Sequence, residues 1–243
     1  MLLRFLGGLG RDSSVLEIGC GLGRTAFPLR YVLSAEGTYD GFDISRPKID
    51  FAKRTFQAAH PNFRFRWSDL HNTHYKPSGR LAAKDYRFPF EDDAFDVVYA
   101  ASVFTHLLPP AAERYLREAA RVLRPGGRLL VSFFLLDQYR PGAPRPLGFA
   151  RAAFDFDHSL PEYGRSIAIS NPADPEEMTA YRLDWILGVA GRAGLSLLMP
   201  ERPGFWSGTT QTWISAQDLL LLGRPMEDGA PAAAGDSMPG VRT

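Results

Sequence analysis

Short apolar runs alternate with amphipathic segments along the chain as far as Leu135. The apolar runs are typical of buried strands, and they lie at residues 14–19, 38–43, 62–67, 95–101 and 127–135. Apolar residues recur at helical spacing in the segments between them, at residues 24–35, 46–59 and 110–122. Strands and helices that alternate in this way form a parallel sheet through right-handed crossovers, with helices on both faces. The pattern therefore predicts an α/β fold with a doubly wound sheet.

The rhythm breaks between Asp137 and Met178, where six prolines are interspersed with aromatic side chains. A stretch of this length between sheet elements is usually a lid or a binding loop, and exposed aromatic side chains need a partner surface. We therefore expect residues 137–178 to form an aromatic-rich lid that binds substrate.

Regular patterning then returns. A helix is predicted at residues 179–193, and two strands at 195–200 and Trp213–Leu222. From Met226 onward the chain is rich in Gly, Ala, Pro and Asp, which is typical of a disordered segment. We predict one domain over residues 1–225 and a disordered tail over residues 226–243.

Composition and charge narrow the class of protein. Of the 243 residues 45% are hydrophobic, the formal net charge is +1, and lysines and arginines are spread along the chain. This charge disfavours a nucleic-acid partner, and no apolar run approaches the roughly 18 residues that a membrane span needs. The single cysteine, Cys20, has no partner for an intramolecular disulfide, which fits a reducing compartment. We expect a cytoplasmic protein without a nucleic-acid or membrane partner.

The most informative segment is residues 15–23, with the sequence VLEIGCGLG. An apolar strand runs into Gly19, Gly21 and Gly23, and Glu17 lies two residues before the first of them. Glycines allow a tight turn and a close approach of bare backbone to a ligand, and the start of the following helix would add backbone N–H groups. An acid in such a loop favours a ligand with a cationic or zwitterionic end over a pyrophosphate.

A dinucleotide-binding fingerprint is the alternative. The frame that starts at Gly19 lacks the last glycine of the GxGxxG pattern, and the frame that starts at Gly21 ends in Ala26, a permitted variant. The second frame leaves Glu17 and Gly19 without a role. We therefore favour a methyl donor over a dinucleotide as the ligand.

Four segments resemble motifs of the class I S-adenosylmethionine-dependent methyltransferases. Residues 17–23 (EIGCGLG) resemble motif I, and residues 41–45 (GFDIS) resemble the end of the second strand. Residues 88–99 (FPFEDDAFDVVY) resemble the approach to the fourth strand, and residues 121–130 (RVLRPGGRLL) resemble the turn into the fifth. The resemblance implies a Rossmann-like, seven-stranded, mostly parallel sheet whose last strand is antiparallel at the sheet edge. It also implies S-adenosylmethionine as the cofactor.

The resemblance further implies which residues bind that cofactor. They are Glu17, Gly19, Cys20, Gly21, Gly23, Asp43, Ile44, Asp69, Leu70 and Ser102. Asp43 would accept hydrogen bonds from the two ribose hydroxyls; the alternative is that it caps the helix at 46–59, a role that Ser45 could also fill. Glu17 would either reach the ammonium group of the donor or tie down the glycine loop.

The residue that binds the adenine amine is left open between two carboxylates. Asp69 follows the third strand, and Leu70 beside it would pack on the adenine ring. Asp85 is the competing choice. The choice depends on an extra segment, Leu70–Arg87, that separates the third and fourth strands and also contains His71, His74, Tyr75 and Tyr86.

Two histidines are candidate general bases. In open α/β sheets the reaction centre lies beyond the carboxyl ends of the strands, and His106 follows the fourth strand. A histidine there could take the proton of an attacking hydroxyl; the alternative is a polar residue at a helix start. His158, in the expected lid, is the second candidate. We expect no metal site, because no carboxylate cluster accompanies the histidines of the extra segment.

These features predict methyl transfer to a hydroxyl of a small or medium-sized acceptor, such as a natural product, a phenol or a sugar. The segment after the fourth strand lacks the Asp/Asn-Pro-Pro-aromatic box of nucleic-acid amino-methylating enzymes. The alternatives are N-methylation of an amine or amino sugar, and a donor-binding protein of this fold that is non-catalytic or repurposed. About a dozen residues precede the first strand, which leaves room for a second copy of the chain to complete the pocket in a homodimer.

Overall fold

The computed structural model describes residues 2–142 and 155–226 of the chain. Seven strands form its main sheet: β1 (Ser14–Ile18), β2 (Thr38–Asp43), β3 (Phe63–Trp67), β4 (Phe95–Ala100), β5 (Leu123–Phe133), β6 (Ser196–Leu197) and β7 (Asp218–Gly223). In space they lie in the order β6-β7-β5-β4-β1-β2-β3. Strands β1 to β5 pair in parallel, and β7 runs antiparallel to both β5 and β6. The predicted Rossmann-like, mostly parallel, seven-stranded sheet is confirmed.

The antiparallel strand β7 lies inside the sheet, and the prediction that it forms the edge is wrong. It pairs with β5 on one side and with the short β6 on the other, so β6 forms that edge. β7 also begins later than predicted, and Trp213 and Ile214 lie exposed before it. Its first residue, Asp218, is buried and accepts hydrogen bonds from the backbone N–H of Leu135 at 2.8 Å and from the Trp206 indole at 2.7 Å. These bonds hold the start of β7 against the end of β5.

Helices cover both faces of the sheet. They are α1 (Leu2–Phe5), α2 (Ala26–Leu29), α3 (Arg46–Ala52), α4 (Pro109–Val122) and α5 (Leu183–Arg192). Buried residues of α1, α2 and α3 share one hydrophobic cluster with Val15, whereas those of α4 and α5 share another with Leu16. Successive residues of a strand point to opposite faces, so β1 is buried from both sides, as a doubly wound sheet requires.

The helix predicted at residues 24–35 is much shorter in the structure. Only α2 is α-helical, and the chain continues in turns in which the N–H groups of Tyr31 and Val32 bond three residues back, to Pro28 and Leu29. Pro28 has no N–H to donate. The apolar spacing of this segment therefore reflects packing of turns against the sheet and not one regular helix.

The helix predicted at residues 179–193 begins later, at Leu183. Residues Thr179–Tyr181 form a strand that pairs antiparallel with Ile167–Ile169. All three residues of the strand are buried, and β-branched and aromatic side chains pack well on a pleated, buried surface.

The expected lid lies partly outside the described residues, which omit 143–154. Its described part contributes two strands to a small three-stranded antiparallel sheet made of His158–Ser159, Ile167–Ile169 and Thr179–Tyr181. The N–H of Tyr181 donates to the carbonyl of Phe134 at 2.9 Å, which joins this sheet to the end of β5. The expected disordered tail lies outside the described residues except for Met226.

Candidate active site

A cavity of about 620 Å³ opens beyond the carboxyl ends of β1, β2, β3 and β4. Volumes of this size are typical of small-molecule sites. Residues predicted to bind the cofactor or to act as a base contribute Gly19, Gly21, Asp43, Ile44, Ser102 and His106 to its wall. Glu17, Cys20, Gly23, Asp69, Leu70 and His158 are not part of that wall. The roles predicted for all these residues stay predictions.

The three glycines of the loop meet different surroundings. All have positive φ angles, +71° at Gly19, +53° at Gly21 and +83° at Gly23, where other residues are strained. A Cβ on Gly19 would lie 2.5 Å from the Val103 side chain, and one on Gly23 would lie 2.6 Å from the ring of Phe56. A Cβ on Gly21 would meet nothing within 4 Å. Gly19 and Gly23 are thus needed for packing, whereas Gly21 leaves open space in which a ligand can approach the backbone.

Glu17 is buried behind this loop and has protein partners for both carboxylate oxygens. Its Oε1 accepts a hydrogen bond from Thr25 Oγ1 at 2.7 Å, and its Oε2 accepts one from the Tyr39 hydroxyl. Burial raises its pKa to about 7. These contacts support the alternative in which Glu17 ties down the loop. Its neighbour Cys20 is buried against Gly41, and burial raises the pKa of the thiol.

Asp43 connects the glycine loop to the start of α3. Its Oδ2 accepts a hydrogen bond from the N–H of Gly21 at 2.9 Å, and its Oδ1 accepts one from the N–H of Ser45 at 2.7 Å. The Ser45 side chain makes no capping bond to α3. A carboxylate oxygen can accept more than one hydrogen bond, so Asp43 can hold the loop and still accept from ribose hydroxyls across the cavity. The adjacent Ile44 supplies an apolar part of the wall.

Neither carboxylate considered for the adenine amine lines the cavity. Asp69 pairs with Lys76 and, at 2.6 Å, with Arg80, and these two cations hold the pKa of its carboxyl below its usual range. Asp85 is 69% exposed and pairs with Lys84 at 3.1 Å. Leu70 is buried in the core. The choice between the two carboxylates stays open.

Trp67 lines the cavity at the end of β3 and was missed by sequence reasoning. Its indole N–H donates to the carbonyl of Ile44 at 3.0 Å, and Lys76 Nζ lies 4.4 Å from the ring centroid. An aromatic residue at the carboxyl end of a predicted parallel strand was the available signal, because that end of each strand faces the ligand crevice.

Ser102 lies at the end of β4 in a left-handed conformation, with φ of +54°. Its N–H donates to Ser132 Oγ at 2.8 Å, and its hydroxyl donates to Gln217 Oε1 at 3.0 Å. Such strained residues persist where their surroundings hold them, often at functional sites.

His106 is buried and lines the cavity from the short 3-10 helix after β4. Its Nδ1 lies 3.3 Å from the carbonyl oxygen of Glu176, and its Nε2 lies 3.2 Å from the Tyr75 hydroxyl. Burial lowers the pKa of the imidazole, which keeps the ring neutral and able to accept a proton near neutral pH. His158 is exposed on the small sheet.

The extra segment Leu70–Arg87 forms the wall around His106. Its Asn72, Tyr75 and Lys76 line the cavity, and none of them was predicted as a site residue. The signal in the sequence was the insertion itself, with two histidines and a tyrosine close together. Over residues 2–142 and 155–226 no group of three or more His, Cys, Asp or Glu side chains is placed to hold a metal ion. No helix in the same ranges has both the length and the apolar composition needed to cross a membrane.

Comparisons with known proteins agree with this arrangement. Residues 15–127 match the family model described as "Methyltransferase domain". O-methyltransferase rstn1 of Aspergillus nomiae is 29% identical over 141 residues, which are 58% of this chain and 54% of that protein. The 27-O-demethylrifamycin SV methyltransferase of Amycolatopsis mediterranei is 32% identical over 136 residues, 55% of this chain and 41% of that protein. The chain thus spans about half, or less, of the length of these relatives.

The fold is also shared with solved structures. A SAM-dependent methyltransferase from Methanosarcina mazei superposes with a TM-score of 0.56 at 19% identity, over 90% of this chain and 95% of that one. The open space beside Gly21, next to a carboxylate at the end of β2, suits a donor with a ribose and a zwitterionic end. Residues 15–127 are thus similar to a methyltransferase domain, and the chain shares its fold with S-adenosylmethionine-dependent methyltransferases, enzymes whose cofactor is S-adenosylmethionine.

Proposed function

We propose that this protein transfers the methyl group of S-adenosylmethionine to a hydroxyl of a small or medium-sized acceptor. The observation that carries the proposal is that the donor loop and His106 share one cavity. Gly21 and Asp43 of the donor loop and strand β2 line this cavity, as do His106 and Tyr75. Two relatives support a hydroxyl acceptor, one named as an O-methyltransferase and one named as the methyltransferase of an O-demethyl compound.

The chemistry asks two things of these residues. Methyl transfer is an in-line displacement at the sulfonium methyl, so positioning of donor and acceptor supplies much of the rate. S-adenosylmethionine provides the activated methyl group. The glycine loop and Asp43 orient the donor, and neutral His106 accepts the proton that the attacking hydroxyl loses. General base catalysis of this kind contributes roughly 10²–10⁴-fold.

We also propose that residues 1–225 act as one domain and that segment 137–178 contributes to acceptor binding. The support is that Glu176, from the end of that segment, contacts His106 in the cavity wall, and that Asp174 contacts the extra segment that supplies Tyr75 to the same wall. Asp174 pairs with His74 at 2.7 Å, and the carbonyl of Glu176 faces His106.

The test is a methyl-transfer assay with purified protein, S-adenosylmethionine and a panel of phenols, sugars and natural-product alcohols. Product formation is followed by mass spectrometry as a gain of about 14 mass units. We expect His106→Ala to lower kcat by about tenfold or more. His158→Ala tests the second candidate base; because His158 is exposed and outside the cavity wall, we expect kcat to stay within about threefold of wild type, and a larger loss would favour His158 over His106. Transfer only to amines, at a rate that does not depend on His106, would contradict the proposal.

A further inference from the structure

Tyr75 lies beside His106 in the wall of the cavity. Both residues line the cavity, but Tyr75 is 55% exposed whereas His106 is 7% exposed. The Tyr75 hydroxyl lies 3.2 Å from His106 Nε2, and the two rings meet edge to face with centroids 4.8 Å apart. Of these two hydrogen-bonded side chains, the tyrosine is therefore the more accessible to a ligand.

The hydrogen bonds around His106 define the direction in which a proton can move. The carbonyl oxygen of Glu176 can only accept, so the Nδ1 atom that faces it at 3.3 Å carries the hydrogen. In a neutral ring Nε2 then has a free lone pair. The Tyr75 hydroxyl donates to that lone pair, and its oxygen keeps lone pairs that can accept a proton from the cavity side.

Asn72 links the backbones of His106 and Tyr75 through two hydrogen bonds. Its Nδ2 donates to the backbone carbonyl of His106 at 3.0 Å, and its Oδ1 accepts from the backbone N–H of Tyr75 at 2.8 Å. Asn72 is buried. The ring of His74 stacks parallel to that of His106 with centroids 6.2 Å apart. The Asp174 carboxylate lies 2.7 Å from His74 Nδ1. The hydroxyl and the imidazole are therefore held together by two separate segments of the chain.

We propose that Tyr75 is a catalytic residue that contacts the acceptor hydroxyl and relays its proton to His106. The proposal rests on the proposed methyl transfer to a hydroxyl. The acceptor oxygen attacks the sulfonium methyl carbon, and the C–S bond breaks with its electron pair staying on sulfur, which becomes a neutral thioether. The acceptor proton passes to the Tyr75 oxygen while the Tyr75 proton passes to His106 Nε2. The imidazolium that results donates through Nδ1 to Glu176 and later releases the proton to solvent.

The surroundings favour neutral forms of both groups, so the two proton transfers accompany the methyl transfer. Burial raises the pKa of Tyr75 and lowers that of His106. The charged or titratable groups that face the pair are His74 and Asp174, with Glu176 present through its backbone carbonyl. Neither a tyrosinate nor a long-lived imidazolium is needed as a resting state.

The experiment compares Tyr75→Phe with wild type in the methyl-transfer assay on a hydroxyl acceptor. The substitution keeps the ring that packs on His106 and removes only the hydroxyl. We expect kcat to fall about tenfold or more, with the KM for S-adenosylmethionine within about threefold. Tyr86→Phe is the matched control, because Tyr86 lies in the same extra segment, is not part of the cavity wall and bonds Ser68 instead. It should stay within about threefold of wild type.

A double variant separates the relay from an independent effect. Tyr75→Phe and His106→Ala interrupt one proton path, so the double variant should be about as slow as His106→Ala alone. Losses that multiply, or a Tyr75→Phe variant within about threefold of wild type, would overturn the relay and leave the proposed function standing. A wild-type protein that binds S-adenosylhomocysteine but methylates no hydroxyl acceptor would overturn the proposed function and the relay together.

A measurement on the resting protein does not depend on turnover. Nitrogen-15 NMR of the imidazole should show His106 as the Nδ1–H tautomer in wild type and in Tyr75→Phe. An Nε2–H tautomer in wild type would mean that the imidazole donates to the tyrosine, and it would contradict the direction of the relay.

Discussion

At the scale of single residues, the two carboxylates nearest the glycine loop already accept hydrogen bonds from the protein itself. Glu17 is buried, and both of its oxygens accept hydrogen bonds from side chains that flank the glycine loop. One oxygen of Asp43 accepts a hydrogen bond from the loop, and the other accepts one from the start of α3. A buried carboxylate is costly unless it is hydrogen-bonded. The two acids thus stabilise the conformation of the loop before any donor binds. A contact with the donor would be made in addition to these hydrogen bonds.

The raised pKa of Glu17 makes stability depend on pH. Folding raises this pKa from 4.5 to about 7, so the folded chain binds more protons than the unfolded chain between these values. The contribution of Glu17 to the free energy of unfolding should therefore be largest below pH 4.5 and fall by roughly 3 kcal/mol as the pH rises to 7, with little further change above that. Glu17→Gln, which has the same size and cannot ionise, should lack this component.

Urea unfolding at pH 5 and pH 7.5 measures the effect. The wild type should lose more stability than Glu17→Gln between these two values, and titration of the other groups cancels in the comparison. Equal pH dependence in the two proteins would show that Glu17 does not titrate as proposed.

At the scale of elements, the turn from β1 into α2 combines a packed loop with an open one. Gly19 and Gly23 are pressed against Val103 and Phe56, whereas Gly21 faces open space. Gly21→Ala and Gly23→Ala share a left-handed backbone cost of roughly 1–2 kcal/mol. Beyond that cost, the first should mainly affect ligand binding and the second mainly stability.

Gly23→Ala should destabilise the fold further, by roughly 1–3 kcal/mol, because its new methyl group overlaps the Phe56 ring. Gly21→Ala should be less destabilised but should lose about tenfold or more in affinity for S-adenosylhomocysteine, because its methyl group enters the space of the ligand. Urea unfolding and calorimetric titration of both variants test this pair. Wild-type affinity in Gly21→Ala would show that the donor does not approach the loop at this residue.

The same scale shows how much of the fold could be predicted. The bounds of β2 match the predicted ones, and those of β1, β3, β4 and α4 agree within a residue or so, because strong apolar runs and prolines mark them. The secondary structure of residues 24–35 was harder to predict, because packed turns can place apolar residues at helical spacing. Thr179–Tyr181 form a strand and not a helix because they pair with another segment of the chain. A local pattern contains no information on such pairing.

At the scale of the whole molecule, the site is assembled from four regions that are far apart in the chain. The glycine loop and the end of β2 line the cavity and are proposed to bind the donor, and the extra segment with Asn72 and Tyr75 contacts His106 in the same cavity wall. Motif resemblance pointed to Gly21 and Asp43, and the position after the fourth strand pointed to His106; all three line the cavity, and their roles stay predictions. Neither signal could predict Tyr75 or Glu176, because their contacts with His106 depend on how two insertions fold against each other.

The most direct measurement of the central claim is a crystal structure of the protein with S-adenosylhomocysteine. We predict that the ligand occupies the cavity along Gly21, with its ribose hydroxyls at about 2.6–3.2 Å from the Asp43 carboxylate. We also predict that its sulfur faces the side on which the Tyr75 hydroxyl lies. An empty cavity, or a ligand whose sulfur points away from Tyr75 and His106, would contradict the account.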